Sequence, residues 1–149
     1  MRLLINISRS RNADTGAAQS SGVARSSATN SRAAALREAE EEVGLAPDLV
    51  EVLGLLPDYL TGSAFRITPV VALVRPDYEP RPNPHEVADL FEVPLAFLMD
   101  PAHHRRQGLD WEGRRHEWFA MPYLQDGAER YIWGATAGML RNLYHFLAA

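Results

Sequence analysis

The sequence predicts an α/β protein in which a mixed sheet is flanked by helices. Three observations carry that expectation. Leu36, Ala39 and Val43 recur at helical spacing within 32–43. Met139, Leu140, Leu143, Phe146 and Leu147 do the same near the C-terminus. Between them, 65–74 is a nearly continuous apolar run through Ile67, Val70, Val71, Leu73 and Val74, as a fully buried strand requires.

The elements follow in order. Residues 8–32 hold seven Ser and four Arg, with Val23 the one sizeable apolar side chain. Such a stretch buries too little surface to offset its ordering entropy, so 1–32 is expected to be a flexible N-terminal arm and 33–149 the folded domain. The N-terminal strands are then absent, or reduced to Leu3–Ile7. Asn30 or Ser31 can cap a helix over 32–43. Leu49–Leu56 and Phe65–Val74 read as strands, joined by a turn-rich connection over 57–63. A proline-dense loop runs from Pro76 to Pro84 with four prolines. Val87–Val93 alternates as a strand would, and Pro94–Met99 forms a short helix ended by Asp100-Pro101. Arg105–Arg115 is a charged hairpin turning at Glu112-Gly113, followed by a strand over 116–123. Tyr131–Trp133 is a last strand, and the C-terminal helix begins at Ala135.

Composition limits the function. At 149 residues, 46% hydrophobic and 23% charged, the chain suits one ordinary globular domain. A net charge of −4 and a pI near 5.7 argue against binding a nucleic-acid backbone. The absence of cysteine excludes disulfides and thiolate metal sites and fits a reducing cytoplasm. No apolar run approaches the length of a membrane span, and Met1–Ile7 turns polar too soon for a secretory signal.

The chemistry concentrates in Arg37-Glu38-Ala39-Glu40-Glu41-Glu42-Val43-Gly44-Leu45. Glu38, Glu41 and Glu42 stand at i, i+3 and i+4, within one arc about 100° wide, while Leu36, Ala39 and Val43 occupy the other side. The arrangement is costly for a helix alone. Like charges at these spacings repel by about 0.2–0.5 kcal/mol per pair. Acids in the last turn also oppose the negative end of the helix dipole by roughly 0.3–1 kcal/mol each. A hard divalent cation would reverse the sign of both effects, because it takes carboxylate oxygens and shares its other positions with water and phosphate. The alternative is a solvated acidic face. Arg37, four residues before Glu41 and next to Glu38, can orient a carboxylate, and Gly44 ends the helix directly after the last acid.

These residues resemble a known family. Arg37-Glu38-x-x-Glu41-Glu42-x-Gly44-Leu45 matches the second half of the Nudix box. The first half departs from it: at positions 23 and 29, where the family pattern has a glycine and a glutamate, this chain has Val23 and Thr29. Further stretches resemble the bacterial coenzyme A pyrophosphatase branch of that superfamily. They are Leu55-Leu56-Pro57, Thr61-Gly62, Phe65–Val71, Glu86-Val87, Phe91–Leu95 and Tyr131–Leu140. The coenzyme A motif of that branch is missing.

The resemblance implies a Nudix-like α/β/α sandwich. It also implies hydrolysis of a diphosphate linkage in coenzyme A or a related nucleoside diphosphate derivative. Glu38, Glu41 and Glu42 would be ligands of Mg²⁺ or Mn²⁺, Arg37 would orient Glu38, and Glu41 or Glu86 would accept the proton of the attacking water. A loop acid with no special role is an equal reading of Glu86. The implied partner is a small-molecule substrate, with no nucleic acid and no membrane, and a homodimer is allowed. The incomplete box sustains a second reading: a Nudix-fold binding or scaffold protein without catalysis, or a product whose N-terminal coding region is aberrant.

Other residues are discounted. His103 and His104 adjoin Arg105 and Arg106, which disfavours a cation there. His145 reads as packing or surface. Trp111, Trp118 and Trp133 read as core or hairpin anchors, and Arg105, Arg106, Arg114 and Arg115 as a solvated loop.

Overall fold

The computed structural model describes residues 2–11, 21–62 and 65–149, with side chains described from residue 28 onward. The chain forms two compact units, Met1–Leu90 and Phe91–Ala149, so the single domain expected over 33–149 spans both.

In the first unit, strand β1 (Arg2–Arg11) precedes helix α1 (Ser21–Val43). β2 (Val50–Leu55), β3 (Tyr59–Leu60) and β4 (Phe65–Val74) follow. β4 is the hub of the sheet, pairing antiparallel with β1, β2 and β3. Its central position explains the continuous apolar run, since Ile67, Val70, Val71, Ala72 and Val74 are all buried. The register of β2 on β4 slips between Val52 and Gly54, a bulge that leaves Leu53 exposed.

The irregular arm expected over 1–32 is corrected at the level of the backbone. Residues 2–11 pair with β4 along its whole length, Arg2 opposite Val74 and Arg11 opposite Phe65. Residues 21–32 are the first half of α1. A helix propagates far more cheaply than it nucleates, so a good helical segment over 32–43 carries a Ser-rich neighbour with it, one that no proline interrupts. Residues 12–20 lie outside the described residues.

One face of α1 is buried through Ala35 and Ala39, with Val43 half-buried. Ala39 packs in one cluster with Leu45, Val74 and Tyr78, with Val43, Leu49 and Val50 around it. Burying a residue such as Leu45 contributes about 1.5–3 kcal/mol.

The second unit holds helix α2 (Leu95–Leu98) and strands β5 (Arg105–Trp111), β6 (Arg114–Gln125) and β7 (Ala128–Trp133). Helix α3 (Gly134–Ala148) follows directly. The strands form an antiparallel meander in chain order. Both hairpin turns are two-residue loops with positive φ: Glu112 and Gly113 at 50° and 72°, Asp126 and Gly127 at 50° and 79°. Such loops match the right-handed twist of the flanking strands. Met121, Ile132, Ala137, Met139, Leu140 and Leu143 are buried in this unit.

Every described strand pair is antiparallel, in two sheets, where one mixed sheet was expected. Residues 87–93 are not a strand. Burial alternates at Phe91, Glu92 and Val93, so the pattern was real, but alternation gives a strand only where a neighbouring edge accepts the ladder. Phe146 and Leu147, expected to face inward, are exposed in the last turn of α3, past the buried stripe that ends at Leu143.

Candidate active site

The site begins with how α1 stops. Gly44 takes φ +68°, which only glycine adopts at little cost, and its N–H donates to Glu40 O at 3.0 Å. Leu45 N–H donates to Ala39 O at 3.2 Å and turns its side chain into the core. Two carbonyls of the last turn, those of Glu42 and Val43, would otherwise lack partners. The proline-dense loop satisfies them. Tyr78 Oη and Arg81 N–H both donate to Val43 O, at 2.6 and 2.9 Å, and Asn83 N–H donates to Glu42 O at 2.7 Å. The approach is close: a Cβ at Gly44 would lie 3.1 Å from Arg81 Cβ.

The acids stand on this tethered turn. Glu38 is half-buried, while Glu41 and Glu42 are exposed. Arg37 Nε lies 3.8 Å from Glu41 Oε1, an i,i+4 ion pair between two solvated side chains. The loop also brings the segment bearing Glu86 to the same place. Asn83 O accepts from Glu86 N–H at 3.1 Å and from Val87 N–H at 2.8 Å, and Asn83 Oδ1 accepts from His85 N–H at 3.1 Å. Glu86 itself is exposed.

Three carboxylates on one helical turn, two of them exposed, suit a hard cation in kind. Among the described residues, no group of three His, Cys, Asp or Glu side chains is placed to hold a metal ion.

Tyr78 and Asn83 were missed from sequence. The signal available was Pro82-Asn83-Pro84, a turn signature whose contact with a helix end lies some forty residues back in the chain.

The discounted residues have structural occupations. His103 Nδ1 and His104 Nε2 are 2.9 and 2.7 Å from the carbonyls of Phe97 and Leu98, where each ring nitrogen donates and caps α2. Arg115 pairs with Asp110 and Glu117, and Arg106 lies 5.8 Å over the Phe119 ring. Trp111 adjoins its hairpin turn. Trp133, expected in the core or at a hairpin, is 59% exposed beside Tyr131.

No described helix is long and apolar enough to cross a membrane. The family model described as the NUDIX domain matches residues 10–120. Three similar proteins, each described as "Uncharacterized Nudix hydrolase NudL", come from Escherichia coli strains SMS-3-5 and SE11 and from Shigella boydii serotype 18. Each is 39% identical over 111 residues, 74% of this chain and 56% of the relative. The chain thus spans little more than half the length of these curated relatives. A family model covering residues 10–120, together with that identity, shows that this chain belongs to the Nudix family.

Proposed function

We propose that the chain is a divalent-metal-dependent hydrolase of a diphosphate linkage in a small nucleoside diphosphate derivative, with coenzyme A as the leading substrate. The observation that carries this reading is the placement of Glu38, Glu41 and Glu42 on the final turn of α1 in a chain of the Nudix family. Glu38, Glu41 and Glu42 would hold Mg²⁺ or Mn²⁺. When bound, such an ion neutralises phosphate oxygens and lowers the pKa of an attacking water.

The protein's own groups do the rest. Arg37, expected to orient Glu38, is paired instead with Glu41 four residues on, and would help to orient that carboxylate. Glu41 or Glu86 accepts the proton released by the water. The αL ending at Gly44 and the contacts of Tyr78, Arg81 and Asn83 keep the last turn of α1 from fraying, so its carboxylates share one frame.

A second reading is a Nudix-fold chain that binds its ligand without cleaving it. It is favoured by Val23 and Thr29 in the first half of the box. Release of 3′,5′-ADP and 4′-phosphopantetheine from coenzyme A, with ADP-ribose as control and Mg²⁺ or Mn²⁺ present, separates the two. Metal-dependent cleavage lost in Glu41→Gln supports the hydrolase. Metal binding with no cleavage of either compound supports the binding protein. A homodimer and a cytoplasmic location accompany the proposal and are checked by solution mass measurement and by fractionation.

A further inference from the structure

Building on the hydrolase reading, we propose that Tyr78 and Asn83 are positioning residues that hold Glu86 in register with the carboxylates of α1. The argument starts from the backbone. Asn83 is bonded on both sides: its N–H to Glu42 O at 2.7 Å, and its carbonyl to the N–H groups of Glu86 and Val87 at 3.1 and 2.8 Å. Its side-chain oxygen closes the turn by accepting from His85 N–H at 3.1 Å. A single residue therefore links the peptide of Glu42 to the turn that carries Glu86. Pro82 and Pro84 flank it and fix their own φ, which removes slack from the link.

Tyr78 anchors the other end of the loop. Its ring is buried with Ala39, Leu45 and Val74, and its hydroxyl donates to Val43 O at 2.6 Å. The helix end and the loop thus move as one piece. Glu86 projects from an exposed turn that would otherwise be free to wander. A proton acceptor must lie within about 2.6–3.2 Å of its target, and a displacement of about 1 Å can cost up to a hundredfold in rate. The tether limits such displacement of the turn while leaving Glu86 exposed.

The test uses substitutions that spare the core. Tyr78→Phe keeps the buried ring and deletes the hydroxyl. Asn83→Ala deletes the side-chain acceptor, and Asn83→Asp restores one. With coenzyme A and Mg²⁺, Tyr78→Phe and Asn83→Ala should each lower kcat about tenfold, the second because the main-chain link through Asn83 keeps its geometry only while the side chain closes the turn at His85. KM and the half-saturating Mg²⁺ concentration should stay within about twofold, because neither residue binds substrate or metal. Asn83→Asp should recover most of the loss. In a Glu86→Gln background neither substitution should lower kcat further, since the residue they position is already disabled.

Lowered melting temperature with unchanged kcat would make the tether purely structural and overturn the proposal. A full further loss on top of Glu86→Gln would overturn it too. If Glu41→Gln abolishes hydrolysis while Glu86→Gln and both tether variants leave it intact, the positioning role falls and the hydrolase reading stands. An inactive wild-type chain defeats both.

Discussion

At the scale of the residue, Gly44 carries the heaviest demand. It ends α1 at φ +68° and leaves room for Arg81 at a distance that a methyl group would crowd. Gly44→Ala should therefore cost about 1–2 kcal/mol from the left-handed backbone alone. Chemical denaturation should show a lower midpoint with an unchanged slope; no change in midpoint would mean that the turn relaxes freely. Glu41 makes the opposite case. Its ion pair with Arg37 is solvated on both sides and worth little, while its neighbours Glu38 and Glu42 repel it. Glu41→Gln should leave metal-free stability within about 0.5 kcal/mol of wild type. The same substitution should remove most of the rise in melting temperature that Mg²⁺ or Mn²⁺ confers on the wild type, since an ion binding only the folded state stabilises it. Equal metal stabilisation of both proteins would remove Glu41 from the metal site.

At the scale of the element, the end of α1 is secured from two directions: Leu45 fills the core and the loop covers the carbonyls. Leu45 is 1% exposed, so Leu45→Ala should cost about 2–5 kcal/mol in equilibrium unfolding. A loss below 1 kcal/mol would show that the Ala39, Val74 and Tyr78 cluster can close over the gap. Elements whose signal is local were legible in the sequence. β4 declared itself by its apolar run, the first hairpin by Glu112-Gly113, and α1 by the glycine after its last acid. The second hairpin at Asp126-Gly127 carried the same kind of signal and was overlooked. Residues 87–93 mislead because alternation reports a half-buried chain and says nothing about whether a partner strand is present. The strand over Arg2–Arg11 depends on β4, sixty residues away, and no composition rule supplies that pairing.

At the scale of the whole molecule, the Nudix domain spans residues 10–120 and takes in the carboxylate helix and the loop that clasps it. Candidate ligands on one helical turn are readable in sequence, because helical spacing sets their angles. Their tie to Glu86 is not, because it runs through main-chain atoms of Glu42 and Asn83 that every residue type shares. The half-matched box leaves the activity to be decided by the turn of α1 and its clasp. The most direct test is Mg²⁺-dependent cleavage of coenzyme A by wild type and Glu41→Gln, compared at equal folded concentration. The account predicts cleavage by the wild type and a loss of at least a hundredfold, on the order of 3 kcal/mol in the barrier, in the variant. Equal rates in the two proteins, or no metal-dependent cleavage by the wild type, would contradict it.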